Sequence, residues 1–170
     1  NNLSSKNVVL FGAGPMAMDY AKVLKHLGAN FTAVGRSREG TDKFEEQTGI
    51  AAIANGVPGW QKKGNTNAEY GIVAVSFEAL AATTIELMDA GIRKILLEKP
   101  AGLTTSEIHS VCEHAKKTDT RIFVGYNRRF YASVIEAKKL IESDRGVLSF
   151  NFEFTEWCDD IPKKLKHSTT

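Results

Sequence analysis

Apolar residues in this chain fall into short continuous runs, separated by longer segments where they recur every three or four positions. The short runs are typical of strands buried on both faces of a parallel sheet, and the repeats are typical of helices. Strands are predicted at residues 8–11, 31–34, 72–75, 94–98 and 122–125. Helices are predicted at residues 16–27, 39–48, 78–90, 104–117 and 132–143. Thr104 and Glu107 fit a capping box at the start of one helix. This alternation predicts an α/β protein with a doubly wound parallel sheet.

Two segments break the alternation. Residues 55–67 hold glycines, a proline and asparagines, and we interpret them as irregular. Apolar and polar residues alternate over residues 148–155, which predicts a strand with one buried and one solvated face. A single strand of this kind is not stable alone. We therefore expect a first domain over residues 1–126 and the incomplete start of an α+β domain over residues 127–170, where the chain stops.

Composition and charge narrow the functional classes. The 170 residues carry 22 basic and 20 acidic side chains, and the formal net charge of +2 gives no electrostatic support for nucleic-acid binding. No apolar run approaches the roughly 20 residues that span a membrane. The N-terminal residues lack a secretory segment, so we expect a cytoplasmic protein. Cys112 and Cys158 show no metal-ligand spacing, and we expect no metal site.

The segment from Gly12 to Ala17 fits the pattern G-x-G-x-x-G/A between a predicted strand and a predicted helix. The first glycine would allow the tight turn, the second would let a pyrophosphate approach the backbone, and free amides at the helix start would favour the anion. The alternative is a purely structural turn between strand and helix. We expect a Rossmann-type dinucleotide site that includes Gly12, Ala13, Gly14, Pro15 and Met16.

The end of the second strand indicates which dinucleotide binds. Sites for NAD usually carry an acidic residue about 20 residues after the turn, whereas Arg36, Ser37 and Arg38 stand here. A guanidinium can hold a 2′-phosphate through paired hydrogen bonds, and the Ser37 hydroxyl can donate another. Arg36 and Ser37 therefore predict NADP rather than NAD. The alternative is that both arginines are ordinary solvated loop residues.

Glu98, Lys99 and Pro100 stand at the carboxyl end of a predicted strand, where open α/β sheets bind their ligands. A lysine fixed there beside a carboxylate can act as an electrophile or a proton relay near a substrate oxygen. On spacing alone, the pattern favours an exposed charged pair that closes the strand.

Three motifs follow one another along the chain: the glycine turn, Glu98-Lys99-Pro100, and the segment 124–130, Val-Gly-Tyr-Asn-Arg-Arg-Phe. Together they resemble the glucose–fructose oxidoreductase / inositol dehydrogenase family (Gfo/Idh/MocA) over nearly the whole chain. The resemblance implies an N-terminal Rossmann domain and a C-terminal α/β domain on a large open sheet. It also implies hydride transfer between nicotinamide and a hydroxyl-bearing carbon of a sugar, inositol or similar polyol. We expect a homo-oligomer when the chain is full length.

The same resemblance implies roles for single residues. Lys99 would be the active-site lysine that contacts the reacting hydroxyl near the nicotinamide, and its bond to Pro100 would be cis. Glu98 and Pro100 would adjoin the cofactor with it. Asn127 and Arg128 would line the cofactor or substrate side of the cleft. For Arg128 an interdomain salt bridge is the alternative.

The chain also departs from the family pattern. Ser76 begins the segment where the family commonly has Thr-Pro-Asn, and Ala81 stands where a histidine follows. The Ser76 hydroxyl can still serve the nicotinamide side. Family members usually carry an Asp and a His in the second domain that complete a proton relay, and none of the four histidines here matches that pattern. We expect the main catalytic base beyond Thr170.

These observations predict an NADP-preferring dehydrogenase or reductase that acts on a small sugar-like substrate, with Lys99 as its catalytic residue. The 170 residues by themselves would be inactive. One alternative is a non-catalytic dinucleotide-binding sensor or regulatory module, and another is a Rossmann-like structural domain that binds nothing tightly.

Overall fold

Strands and helices alternate through a computed structural model, which describes residues 6–64 and 67–153. Strands β1 to β6 are Asn7–Phe11, Asn30–Val34, Ala52–Ile53, Tyr70–Val73, Lys94–Leu97 and Arg121–Val124. Helices α1 to α6 are Pro15–His26, Arg38–Thr48, Gly56–Lys62, Leu80–Asp89, Thr105–Thr118 and Ala132–Ser143. Short 3-10 turns occupy Phe77–Ala79 and Asn127–Phe130. Within the described ranges, no helix is both long enough and apolar enough to cross a membrane.

The six strands pair in parallel in the order β3-β2-β1-β4-β5-β6. The chain first builds outward from β1 through β2 to β3, and then returns to add β4 on the other side of β1. The direction of building therefore reverses between β1 and β4, and ligands of such sheets bind outside the carboxyl ends of the strands at this point. The predicted doubly wound, Rossmann-type α/β fold is confirmed.

Each face of the sheet is covered by its own set of helices. Alternate residues of β1 divide between the two layers: Val8 and Leu10 pack in a cluster with α1 and α2, while Val9 and Phe11 pack with α3, α4 and α5. Leu10 and Val9 are fully buried. Burial on both faces explains why the strands are apolar without alternation.

The prediction that residues 55–67 are irregular is wrong, because the segment contains α3. Glycine and proline disfavour this helix locally, but Val57 and Trp60 are almost fully buried in the core. The Trp60 ring meets Phe11 edge to face, with 5.8 Å between ring centres. Tertiary packing thus stabilises a helix that local propensity does not favour.

The capping box predicted at Thr104 and Glu107 is confirmed. The Thr104 hydroxyl oxygen accepts from the amide of Glu107 at 3.2 Å, and the Glu107 carboxylate accepts from the amide of Thr104 in return. These bonds satisfy amides that the first turn of a helix leaves without partners. Helix α5 therefore begins directly after the loop that follows Lys99.

The chain divides into two compact units, one ending at Gly125 and the other beginning at Tyr126. The second unit contains α6. The strand predicted over residues 148–155 is wrong for its described part, because residues 148–153 have no regular secondary structure. A strand needs a neighbour to pair its backbone groups, and no described segment pairs with this one. Phe154, at the end of the alternation, lies outside the described residues.

Candidate functional site

Loops at the carboxyl edge of the sheet are tied to neighbouring strands by backbone hydrogen bonds just beyond the last paired residues. The amide of Gly12, after β1, donates to the Val34 carbonyl at 2.8 Å, and the amide of Ala74, after β4, donates to that of Phe11 at 2.7 Å. The amide of Glu98 continues the series at 2.9 Å to the Val73 carbonyl. These hydrogen bonds hold the segments that follow β1, β4 and β5 at one edge of the sheet. The site residues predicted in these segments therefore lie at the same edge.

Gly12 adopts a conformation that only glycine accepts readily. Its φ is +136°, and a Cβ atom on Gly12 would overlap the carbonyl oxygen of Ala74 and lie 3.1 Å from the Cβ of Ala17. The turn can therefore bring α1 close to β1 only with glycine in the first position and a small residue at position 17. This is the packing that a dinucleotide-binding turn requires.

The N-terminus of α1 has room and polarity for an anion. Gly14 is exposed, has φ −88°, and has open space where a Cβ would point, with nothing within 4 Å. No side chain caps the helix, Pro15 has no amide proton, and in the described part of the chain the amides of Met16 and Ala17 find no acceptor. These unpaired amides and the positive end of the helix dipole fit the pyrophosphate of a dinucleotide.

Beyond β2, the backbone around Arg36 is fixed by the start of α3. The amide of Gly56 donates to the Gly35 carbonyl at 2.9 Å, and the amide of Asn55 donates to the Arg36 carbonyl at 3.2 Å. The Arg36 side chain is exposed and has no ion-pair partner among the described residues. Its guanidinium is therefore available to a ligand.

Ser37 and Arg38 already have partners within the protein. Ser37 caps α2, and its hydroxyl oxygen accepts from the amide of Gly40 at 3.2 Å, which leaves its proton free to donate. The Arg38 Nε lies 3.0 Å from an oxygen of Asp42, one turn further along α2. Of the two arginines, Arg36 is the one whose charge is uncompensated.

Lys99 lies at the end of β5, beside the turn that follows β4. Its Nζ is 5.7 Å from the centre of the Phe77 ring, and this phenylalanine is 52% exposed. Ser76, directly before it, is also exposed. The Lys99–Pro100 peptide bond is cis, as expected. The structure thus brings Ser76, Phe77 and Lys99 together at the ends of adjacent strands.

The carboxylate of Glu98 is held by a residue of α1. The Tyr20 hydroxyl donates to Glu98 Oε1 at 2.6 Å, and the contact is partly buried. Burial raises the pKa of the Tyr20 hydroxyl well above its ordinary value, and its hydrogen bond to Glu98 raises that pKa further. Tyr20 therefore stays protonated and remains a donor at physiological pH.

The remaining predicted residues lie in the second compact unit. Asn127 and Arg128 belong to the 3-10 turn that follows Tyr126, and both are exposed. In the described part of the chain, no group of three or more His, Cys, Asp and Glu side chains could hold a metal ion.

Sequence analysis missed two residues of this edge, Tyr20 and Phe77. Tyr20 lies on α1 beside the buried residues Ala17, Ala21 and Leu24, so the helical pattern alone identifies it as one more apolar position. A polar tip on a buried stripe is the signal that points to a buried partner. Phe77 carries no such signal, because an aromatic residue after a strand has no chemistry of its own.

Two concave regions lie away from these residues. A cavity of about 130 Å³ at the opposite edge of the sheet is lined by Asn7 and Asn30 among others. There the Asn30 amide donates to the side-chain oxygen of Asn7 at 2.6 Å, and the Asn7 amide donates to the Asn67 carbonyl at 3.1 Å. An open groove of about 560 Å³ beside α5 includes His114, which lies 2.7 Å from Asp89. Neither region contains a residue predicted for the site.

A family model described as "Oxidoreductase family, NAD-binding Rossmann fold", GFO_IDH_MocA, matches residues 6–126. The chain belongs to the Gfo/Idh/MocA oxidoreductase family. The resemblance inferred from the glycine turn, the Glu-Lys-Pro tripeptide and the segment 124–130 is thus confirmed. The matched range contains the first two motifs and ends within the third. No curated protein matches the chain.

Solved structures share the fold at low sequence identity. The WlbA dehydrogenase from Chromobacterium violaceum, solved with NADH and UDP-GlcNAcA, is 18% identical, with a TM-score of 0.69 over 82% of this chain and 40% of that one. An oxidoreductase from Agrobacterium radiobacter, solved with NAD+, L-tartaric acid and magnesium, is 17% identical, with a TM-score of 0.71 over 84% of this chain and 41% of that one. UDP-N-acetylglucosamine 3-dehydrogenase GnnA from Acidithiobacillus ferrooxidans is 15% identical, with a TM-score of 0.67 over 79% of this chain and 41% of that one.

This chain therefore spans about two fifths of the length of the structures that it matches. At these identities the likeness shows the fold, and the individual activities belong to those proteins.

Proposed function

We propose that this chain is the cofactor-binding part of an NADP-preferring oxidoreductase that acts on a hydroxyl-bearing carbon of a sugar-like substrate or polyol. The observation that carries the proposal is the shared edge of Gly12, Gly14, Arg36 and Lys99, with an uncapped helix N-terminus between them. The first unit would bind the cofactor, and the segment from residue 127 onward would begin the substrate domain.

The cofactor would lie along the carboxyl edge. The open space at Gly14 and the free amides of α1 favour the pyrophosphate there. Arg36 supports NADP because its exposed guanidinium is unpaired and no carboxylate stands at this strand end to repel a 2′-phosphate. The Ser37 hydroxyl can donate a second hydrogen bond to that phosphate.

Lys99 would act on the substrate hydroxyl. When bound, the nicotinamide accepts or supplies the hydride. The Lys99 ammonium donates a hydrogen bond to the reacting oxygen and lowers the cost of moving its proton during oxidation. Phe77 restricts the lysine side chain from one side, at a distance where an aromatic face attracts a cation.

Nicotinamide fluorescence tests the cofactor assignment. We expect NADPH to bind more tightly than NADH. Arg36→Asp should weaken NADPH binding at least tenfold without weakening NADH binding, because the new carboxylate repels the 2′-phosphate but can accept from the ribose hydroxyls of NADH. Arg38→Asp is the matched control, since that guanidinium is already paired with Asp42. Unchanged NADPH affinity in Arg36→Asp would refute the NADP assignment.

Turnover tests the role of Lys99. In the full-length chain, Lys99→Ala should abolish nicotinamide reduction with any active member of a panel of sugars and polyols that includes myo-inositol. Lys94→Ala is the control, because this lysine starts the same strand at the opposite edge, over the Tyr70 ring. Equal turnover in Lys99→Ala and wild type would contradict the proposal.

A sensor without catalysis is the second candidate, because Ala81 stands at the position where the family commonly has a histidine. Tight NADPH binding by a full-length protein that turns over none of the panel would favour it.

A further inference from the structure

The side chain and the backbone of Glu98 are held from different directions. Its carboxylate accepts from Tyr20 of α1, its amide donates to the Val73 carbonyl, and its carbonyl accepts from the amide of Ala101 at 3.0 Å. Gly125, after β6, leaves room for this arrangement, because a Cβ there would lie 2.9 Å from Glu98 Oε1 and 3.5 Å from the Tyr20 oxygen. The residue directly before Lys99 is therefore held by hydrogen bonds to both its side chain and its backbone.

We propose that Tyr20 is a positioning residue for Lys99, acting through Glu98. This inference rests on the proposed function of Lys99. Tyr20 stands six residues after Gly14 on the same helix. One rigid helix thus carries both the phosphate site at its N-terminus and the donor that holds the turn of the lysine. The distance between the proposed phosphate site and Lys99 is then set by a rigid helix, α1, and not by a flexible loop.

The chemistry of the pair favours this role over plain core packing. Tyr20 adjoins the buried stripe of Ala17, Ala21 and Leu24, where a phenylalanine would pack without a polar atom. A hydroxyl taken out of water there costs free energy unless it finds a partner, and a hydrogen bond to a carboxylate is a strong one. The partner of Tyr20 is Glu98, which lies 78 residues further along the chain and directly before Lys99.

The pair can be tested without any turnover, by following tyrosinate absorbance during alkaline titration of the protein. The difference between wild type and Tyr20→Phe isolates the titration of Tyr20. Glu98→Gln should lower the pH at which Tyr20 ionises, because an uncharged acceptor favours the protonated hydroxyl less. An unchanged Tyr20 titration in Glu98→Gln would overturn the inference.

Kinetics of the full-length enzyme then test the role. Tyr20→Phe should lower kcat about tenfold and leave the NADPH dissociation constant within about twofold, as expected for loss of one charge-assisted hydrogen bond remote from the phosphates. Glu98→Gln, which keeps an acceptor for Tyr20, should retain more activity than Glu98→Ala. Tyr70→Phe is the matched control, since Tyr70 starts β4 at the other edge of the sheet and should behave as wild type.

The outcomes separate the two proposals. Wild-type kcat in Tyr20→Phe, with turnover lost in Lys99→Ala, overturns the positioning role alone. A parallel loss of kcat and NADPH affinity in Tyr20→Phe shows a merely structural tyrosine and also overturns it. Turnover that survives Lys99→Ala refutes the proposed function, and the positioning role with it.

Discussion

The amide of Gly12 donates a hydrogen bond of 2.8 Å to the carbonyl oxygen of Val34. This bond joins the glycine turn after β1 to the end of the strand that leads to Arg36. The residues proposed for the pyrophosphate and for the 2′-phosphate therefore stand on one connected backbone, and a change at the turn is expected to reach both.

Substitution of Gly12 should separate folding from binding when compared with Gly14. Gly12→Ala places a Cβ against the Ala74 carbonyl at a φ of +136°, so we expect the free energy of unfolding to fall by about 2–4 kcal/mol. Gly14→Ala meets nothing within 4 Å and should change it by less than about 1 kcal/mol, while NADPH affinity drops because the methyl group faces the phosphate site. Urea unfolding and NADPH titration measure both. A stable Gly12→Ala would contradict the packing described.

Removing the cap of α5 should destabilise the first unit by a predictable amount. Thr104→Ala leaves the amide of Glu107 without its acceptor, and we expect a loss of about 1 kcal/mol. Thr105→Ala, one position later and without a capping bond, serves as control. Equal unfolding midpoints for the two variants would show that the capping box contributes nothing.

The alkaline limb of stability should depend on Tyr20. Its pKa is raised in the folded state, first by burial and then by Glu98, whereas the unfolded tyrosine ionises near pH 10. Above that pH the unfolded chain loses a proton that the folded one keeps, so the free energy of unfolding falls as pH rises. Tyr20→Phe should flatten this decline in urea unfolding between pH 8 and 11.5, and Tyr70→Phe should not. Identical slopes in wild type and Tyr20→Phe would count against a buried, hydrogen-bonded tyrosine.

Phe77 should affect catalysis more than stability. The ring is 52% exposed and lies over Lys99, so Phe77→Ala should cost less than about 1 kcal/mol in unfolding yet lower kcat/KM severalfold by freeing the lysine. Phe123→Ala is a close control, because that ring is 57% exposed and contacts Arg121 at 5.8 Å. A kcat/KM that falls equally in both variants would remove the special role of Phe77.

The sequence predicts those parts of the fold that are decided locally. Continuous apolar runs identify strands such as β1 because burial on both faces leaves no polar position. Helix α3 is not predicted because Gly56, Pro58 and Gly59 favour a loop locally. The burial of Val57 and Trp60 in the core, which involves residues distant in sequence, offsets that preference. The alternation over residues 148–153 would put the apolar side chains on one face only in a paired strand, and no described segment supplies the neighbouring strand.

The site divides in the same way. Gly12 and Gly14 can be predicted from the sequence, because a dinucleotide-binding turn needs glycines at that spacing. The contact between Tyr20 and Glu98 joins residues 78 positions apart, and it depends on how α1 lies across the sheet. No local pattern encodes that angle.

The asparagine side chains at the amino edge of the sheet offer a place for a reporter. Asn7 and Asn30 begin strands whose other ends carry the glycine turn and Arg36. Five residues of strand place them roughly 16 Å from that edge. A fluorophore on a cysteine introduced at Asn30, with Cys112 and Cys158 both changed to serine, would accept energy from bound nicotinamide without touching it. The length of the strands thus fixes a distance over which energy transfer can report whether a nucleotide is bound.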